Sequence, residues 1–220
     1  MRTCLNIVTG LHKRTARDYL GRMTDDKAHC MNVARRYGRD FWDGQRRYGY
    51  GGYRYDGRWE QVARKLIDTY DLKDDARILD VGCGKGFLIY ELKKLLPDAH
   101  LQGFDISEYA IDNAKEEIRE KLFVHRAQDE YPFEDQSFDL VLSLTTLHNL
   151  CIHDLARALG QMQRVGKEKY MVVESYRSPK ELFNLQCWAL TCESFFSPEE
   201  WQWLFKQFGY TGDYEFIFFE

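Results

Sequence analysis

The apolar positions of this chain follow two rhythms. Short hydrophobic runs at 78–81, 101–107, 122–127, 138–144 and 169–174 are separated by stretches whose apolar residues recur at helical spacing. The spacing predicts amphipathic helices over 59–70 (Val62, Ala63, Leu66, Ile67, Tyr70), 87–96 (Leu88, Leu92, Leu95), 108–121 and 154–165. Strands that alternate with helices in this way predict an α/β domain built on a doubly wound, mostly parallel sheet. Residues 138–144 are nearly all apolar, as a central strand covered on both faces should be. Further on, Ser197-Pro198-Glu199-Glu200 opens a helix to Phe208: Ser197 as N-cap, Pro198 in the first position, Glu200 in the third. Gly209 stops it, and 214–219 read as one last aromatic strand. Residues 184–196 fit helix or strand.

Ahead of residue 59 the pattern changes. Residues 12–37 read as one or two helices: 14–23 around Leu20 and Met23, then, with Thr24 as N-cap, 25–37 around Ala28, Met31 and Ala34, stopped by Gly38. Residues 37–59 interleave arginine, glycine and aromatic side chains with little aliphatic filler. Three readings stay open for this tract: an RNA-binding sleeve, in which guanidinium and aromatic faces stack on bases; plain packing; and an ordered lid over a cleft. Asp40, Asp43 and Asp56 within it argue against a purely electrostatic sleeve. The division is therefore 1–58, a helical segment and lid, and 59–220, the α/β domain.

Charge sharpens the division. Residues 1–60 hold 13 Lys+Arg against 7 Asp+Glu, so the front is basic and the body acidic within a net charge of -4. Such a front either meets an anionic ligand or docks on the acidic body. The six cysteines lack Cys-x-x-Cys spacing, so no metal site is legible. Neither a signal peptide nor a membrane-length apolar run is present, and a reducing cytoplasm is the expected compartment. The oligomeric state is not written in the pattern.

The candidate chemistry begins where the first strand ends. Asp80-Val81-Gly82-Cys83-Gly84-Lys85-Gly86 is a strand, a tight glycine turn and a helix start. Glycines permit the left-handed backbone of such a turn and let a ligand lie against bare amides. The order Asp-x-Gly-x-Gly-x-Gly is neither Gly-x-Gly-x-x-Gly nor a phosphate-cradling loop ending in Gly-Lys-Ser/Thr. The second strand ends in Asp105, about 20 residues past the last glycine, the spacing at which a carboxylate meets ribose hydroxyls. As a helix cap, its alternative role, Asp105 is less natural than Ser107. His148 follows the fourth strand directly, where open α/β sheets bind ligands, and is either a general base or a residue that orients the next helix. Glu174 and Tyr176 stand at the end of the fifth strand.

These positions together resemble the motifs of class I (Rossmann-like) S-adenosylmethionine-dependent methyltransferases over roughly residues 60–220. The resemblance implies that Asp80, Gly82, Cys83, Gly84 and Gly86 hold the methionyl end of S-adenosyl-L-methionine, Asp105 the ribose, and Ile106 the adenine. The acid that often contacts adenine falls on Ala127 here, so Gln128 or Asp129 must substitute; Leu144 closes the cofactor side. The family's sheet usually finishes in a hairpin, of which only one strand is clear. The implied activity is methyl transfer to oxygen or nitrogen of a small or medium-sized, anionic metabolite such as a sugar-type intermediate. Its contacts would come from Arg46, Arg47, Tyr48, Tyr50, Tyr53, Tyr55, Arg58, Glu174 and Tyr176, with His148 as base. No Asn/Asp-Pro-Pro-Tyr motif is present, which weakens a nucleic-acid substrate. The non-enzymatic alternative is a fold without chemistry that binds RNA or a protein through 37–59.

Overall fold

The computed structural model describes residues 3–13, 15–51 and 53–220. In chain order the elements are α1 (Thr9–His12), α2 (Tyr19–Thr24), α3 (Lys27–Ala34), α4 (Arg39–Trp42), α5 (Glu60–Tyr70), β1 (Arg77–Val81), α6 (Phe87–Leu95), β2 (His100–Asp105), α7 (Glu108–Asp112), α8 (Glu116–Arg119), β3 (Leu122–Val124), β4 (Phe138–Leu144), α9 (Ile152–Val165), β5 (Gly166–Glu174), α10 (Pro179–Trp188), α11 (Pro198–Gln207) and β6 (Asp213–Ile217). The six strands form one sheet in the order β3-β2-β1-β4-β5-β6. Every neighbouring pair is parallel.

Strand side chains alternate between two cores, as a pleated strand requires. Leu140, Leu142, Tyr170 and Val172 face one core, shared with α5 (Val62, Leu66), α6 (Leu88, Leu92) and α10 (Leu185). Val141, Met171 and Val173 face the other, filled by Leu155, Leu159 and Met162 of α9 and Trp201, Leu204 and Phe205 of α11. The sheet's order reverses between β1 and β4, and the crevice beyond their carboxyl ends is the topological switch point of such folds.

The front of the chain is part of this body. Leu5 N–H donates to Tyr214 O (2.8 Å) and Tyr214 N–H to Thr3 O (3.1 Å), so a short strap runs beside β6. Its continuation is tied to Glu215, whose buried carboxylate accepts from the backbone N–H of Ile7 (2.6 Å), Val8 (3.0 Å) and Thr9 (2.6 Å) and from the Tyr170 hydroxyl. Ile7 and Val8 then enter the first core. The sheet's last edge is thus a parallel strand covered by the strap rather than a hairpin.

Several expected boundaries are corrected. The helix expected over 14–23 is only α2, N-capped by Asp18, and Arg14 lies outside the described residues. α3 is capped by Asp26 and not Thr24, whose hydroxyl bonds back to Leu20 O. It ends at Ala34, before Tyr37 takes a left-handed turn at φ 48°. The helix expected over 108–121 breaks in two around Asn113–Lys115. In the ambiguous stretch α10 runs to Trp188 and irregular chain follows. The capping box at Ser197 and Glu200 forms as its residues dictate.

Candidate functional site

A cavity of about 720 Å³ opens at the switch point, a volume ordinary for a small-molecule site. Its floor is the turn after β1. Gly82, Gly84 and Gly86 all have positive φ. A Cβ on Gly82 would stand 2.3 Å from Thr146, and one on Gly84 2.8 Å from the Trp42 ring, so both positions require glycine for space as well as for conformation. Gly86 is the N-cap of α6 and faces Ile118 and Leu122; it shapes the turn from beneath and does not line the cavity.

Two carboxyls flank this turn. Asp105 is anchored: Oδ2 accepts from Gly84 N–H (2.8 Å) and Oδ1 from Ser107 N–H (2.9 Å). Asp80 lines the cavity from the end of β1, and its carboxyl is pushed up to about 8 by burial and then by the Asp105 charge. Burial likewise raises the Cys83 thiol, which keeps it an inert turn residue. Ile106, 47% exposed, forms an apolar lip. Gln128 lies on the wall between Arg126 and Asp154, whereas Asp129 is exposed beside Arg126 and outside the cavity. Leu144 closes the end of β4, and the next residue, Thr145, is held at φ 56°, a left-handed conformation rare for a β-branched residue.

At the opposite wall stand His148 and Glu174, both buried. The Glu174 N–H donates to His148 Nδ1 (3.3 Å), which leaves the ring's proton on Nε2, 3.5 Å from Glu174 Oε2. Burial drives the His148 pKa down to about 3, so the ring is neutral. Glu174 is raised to about 7 by burial, against the pull of Arg17. Its Oε2 has no hydrogen bond of good geometry.

The tract 37–59 roofs this space. Phe41 packs edge-on against Tyr37, Trp42 and Tyr50 and lies against Tyr53, turning the aromatic faces onto one another. The Tyr50 hydroxyl accepts from the N–H groups of Leu190 (2.7 Å) and Thr191 (3.1 Å), pinning the roof to the chain after α10. Trp42 Nε1 donates to Ser107 Oγ (2.8 Å). Lys85 of the glycine turn reaches up to Asp43 (2.7 Å), with its side chain only 7% exposed.

Of the side chains expected to meet substrate, Tyr50, Tyr53, Arg58 and Glu174 line the cavity. Arg46, Arg47, Tyr48, Tyr55 and Tyr176 do not, and each has its contacts elsewhere. Arg46 bonds Ala16 O and Arg47 pairs with Asp25. Tyr48 packs on His29, Tyr55 donates to Glu91, and Tyr176 stands near Glu200. Arg58 itself is held by Asp56. Sequence reasoning missed His12, Arg17, Trp42, Lys85 and Trp188 on the same walls. Among them only Lys85, a lysine inside a glycine turn, carried a readable signal.

Comparison with known proteins adds the following. A family described as "Methyltransferase domain" matches residues 72–209. The mitochondrial arginine-hydroxylase NDUFAF5 of Mus musculus is 32% identical over 136 residues, 61% of this chain and 39% of that protein. The malonyl-[acyl-carrier protein] O-methyltransferase of Bacillus anthracis is 26% identical over 161 residues, 64% of this chain and 60% of that one. The chain thus spans about two fifths of the first of these relatives. Among solved structures, YcgJ of Bacillus subtilis superposes with a TM-score of 0.54 at 21% identity, covering 66% of each chain. Geranyl diphosphate C-methyltransferase of Streptomyces coelicolor A3(2), solved with S-adenosyl-L-homocysteine, gives 0.53 at 16% identity over 66% of this chain and 55% of that one. Among the described residues no helix is long and apolar enough to cross a membrane, and no group of three His, Cys, Asp or Glu side chains could hold a metal ion.

Proposed function

The chain belongs to the methyltransferase-domain family, the S-adenosylmethionine-dependent class on a Rossmann-like sheet, and from that premise we propose that it methylates an oxygen or nitrogen of a small or medium-sized polar metabolite. The observation that carries this reading is a cavity faced by two carboxyls from either side of β4, Asp80 and Glu174. In this reading Asp80, Gly82, Cys83 and Gly84 hold the methionyl end of the cofactor. Asp105 takes the ribose: each of its oxygens has one N–H donor and a lone pair left for a hydroxyl. Ile106 and Gln128 take the adenine, with Asp129 set aside because it is exposed and outside the cavity.

The cofactor supplies an activated methyl group when bound. The protein must align the acceptor and remove its proton. Glu174 is the better proton acceptor, because its raised pKa lies near neutrality and its Oε2 carries no hydrogen bond. His148, with Nδ1 occupied by the backbone N–H of Glu174, offers only an Nε2 proton, 3.5 Å from Glu174 Oε2, and serves as a neighbour of the base rather than the base itself. The name of the Bacillus anthracis relative favours an oxygen acceptor. The alternative, a silent fold that binds RNA or a protein through 37–59, has less support, since those rings pack on one another.

The test is calorimetric titration with S-adenosylhomocysteine, followed by a metabolite screen that reads methyl transfer. Binding should be saturable, lost in Gly84→Val and kept in Glu174→Gln. Turnover in Glu174→Gln should fall about 10²–10⁴-fold, the usual worth of a general base. Undiminished turnover would remove Glu174 from the mechanism. Absence of binding to folded protein would remove the whole reading.

A further inference from the structure

On the far side of one wall of the roofed cavity, three guanidinium groups surround one buried indole. The carbons of Arg17, Arg22 and Arg46 lie 5.5, 4.4 and 5.4 Å from the ring centroid of Trp188. Cations gather over an indole face because its quadrupole attracts them, but they also repel one another. Ordinarily a nearby carboxylate relieves that repulsion. Here none of the three has a carboxylate within ion-pair distance among the described residues. Arg22 is held by the carbonyls of Trp188, Arg46 and Gly49, Arg17 by those of Thr15 and His12, and Arg46 by that of Ala16. Carbonyl contacts fix the groups without neutralising them. Among the described residues Arg46 makes one such contact, through Nη2, and the residue is exposed, so the rest of its fork is open to a ligand.

These arginines line a second, open cavity of about 540 Å³, together with Arg47, Asp18 and Asp25. Four arginines against two aspartates leave two positive charges there. Arg17 and Trp188 line both this cavity and the larger one, so they form the wall between the two. Like charges also press on the groups next to it. Burial first, and then the Arg22 charge, bring the Lys27 ammonium down to about 8.

We propose that the cavity bounded by Arg17, Arg22 and Arg46 is an oxyanion site that binds the phosphate group of a phosphorylated acceptor. A phosphate dianion matches the charge excess, and guanidinium forks match its geometry. The shared wall then sets the rest of the molecule toward Glu174. Only the link to the acceptor depends on the methyl-transfer reading; anion binding stands by itself.

The test is titration of the full chain at low ionic strength with inorganic phosphate and pyrophosphate, with acetate as the monoanion. Saturable phosphate binding, tighter than acetate, should weaken about tenfold or more in Arg46→Gln. It should be unchanged in Arg64→Gln, which removes the same charge from the exposed face of α5. S-adenosylhomocysteine affinity should be equal in all three proteins, which separates this site from the cofactor's. If Arg46→Gln does not fold, Arg46→Lys carries the test, with an intermediate loss expected because the charge stays and the fork goes. Equal weakening in Arg64→Gln, full binding in the folded Arg46 variant, or no saturable phosphate binding would each overturn the site.

Discussion

Asp80 and Glu174 sit in places that favour their protonated forms, with pKa values of about 8 and about 7. A carboxyl whose pKa rises on folding stabilises the native state below its unfolded value, and that stability is lost as pH climbs through the folded value. Asp80→Asn should therefore raise the melting temperature at pH 8.5, with a stability gain of up to about 5 kcal/mol, while weakening S-adenosylhomocysteine binding. An unchanged melt would mean that Asp80 is better solvated than its burial suggests. The same physics gives the reaction a pH profile: a Glu174 base is competent only when ionised, so turnover should rise through about pH 7 and level off above it. The position of Asp80, Asp105 and Glu174 at the cavity was legible because each lies at or next to a strand's carboxyl end, and a strand end can be counted along the chain. The hydrogen bond that occupies His148 Nδ1 was not, since its donor is the N–H of a residue 26 positions away. Arg17 and His12 gave no local sign, because only the docking of the strap brings them to the cavity.

The roof and the glycine turn are joined by the Lys85–Asp43 pair, reinforced by the Tyr109 hydroxyl on Asp43. Lys85→Met leaves Asp43 without its charge partner and should loosen α4 and its surroundings more than the sheet. Hydrogen exchange at residues 39–50 should quicken while that of β4 and β5 stays slow. A double-mutant cycle with Asp43→Asn should give a coupling of roughly 1–3 kcal/mol, and a value near zero would mean that the roof is held by its aromatic packing alone. Elements with a period were readable: β4 has the bounds that its apolar run predicts, and α9 begins two residues early. Caps were read unevenly. Ser178-Pro179-Lys180-Glu181 carries the same start signal as Ser197-Pro198-Glu199-Glu200, yet the apolar residues that follow masked it. The front helices have no strong apolar face, so their bounds were set by Asp18 and Asp26 as caps rather than by periodicity.

Across the molecule, the boundary near residue 58 marks a change of pattern while the packing runs through it, since Ile7 and Val8 share a core with the sheet. Removing residues 1–57 should therefore do more than unroof the site. It takes away the N–H groups that Glu215 accepts from and bares the edge of β6. The truncated protein should melt well below the full chain and tend to associate, because an exposed strand edge templates pairing. A truncated form that stays monomeric with an unchanged melt would show that the strap is dispensable. The strap also imposes an order on events during synthesis. The N–H groups of Ile7, Val8 and Thr9 lack their carboxylate acceptor until Glu215 has been made, on the order of ten seconds or more later at ordinary translation rates. A nascent chain still short of that point can hold its glycine turn and five strands but not the strap beside β6. The strap is made long before the strand edge that holds it.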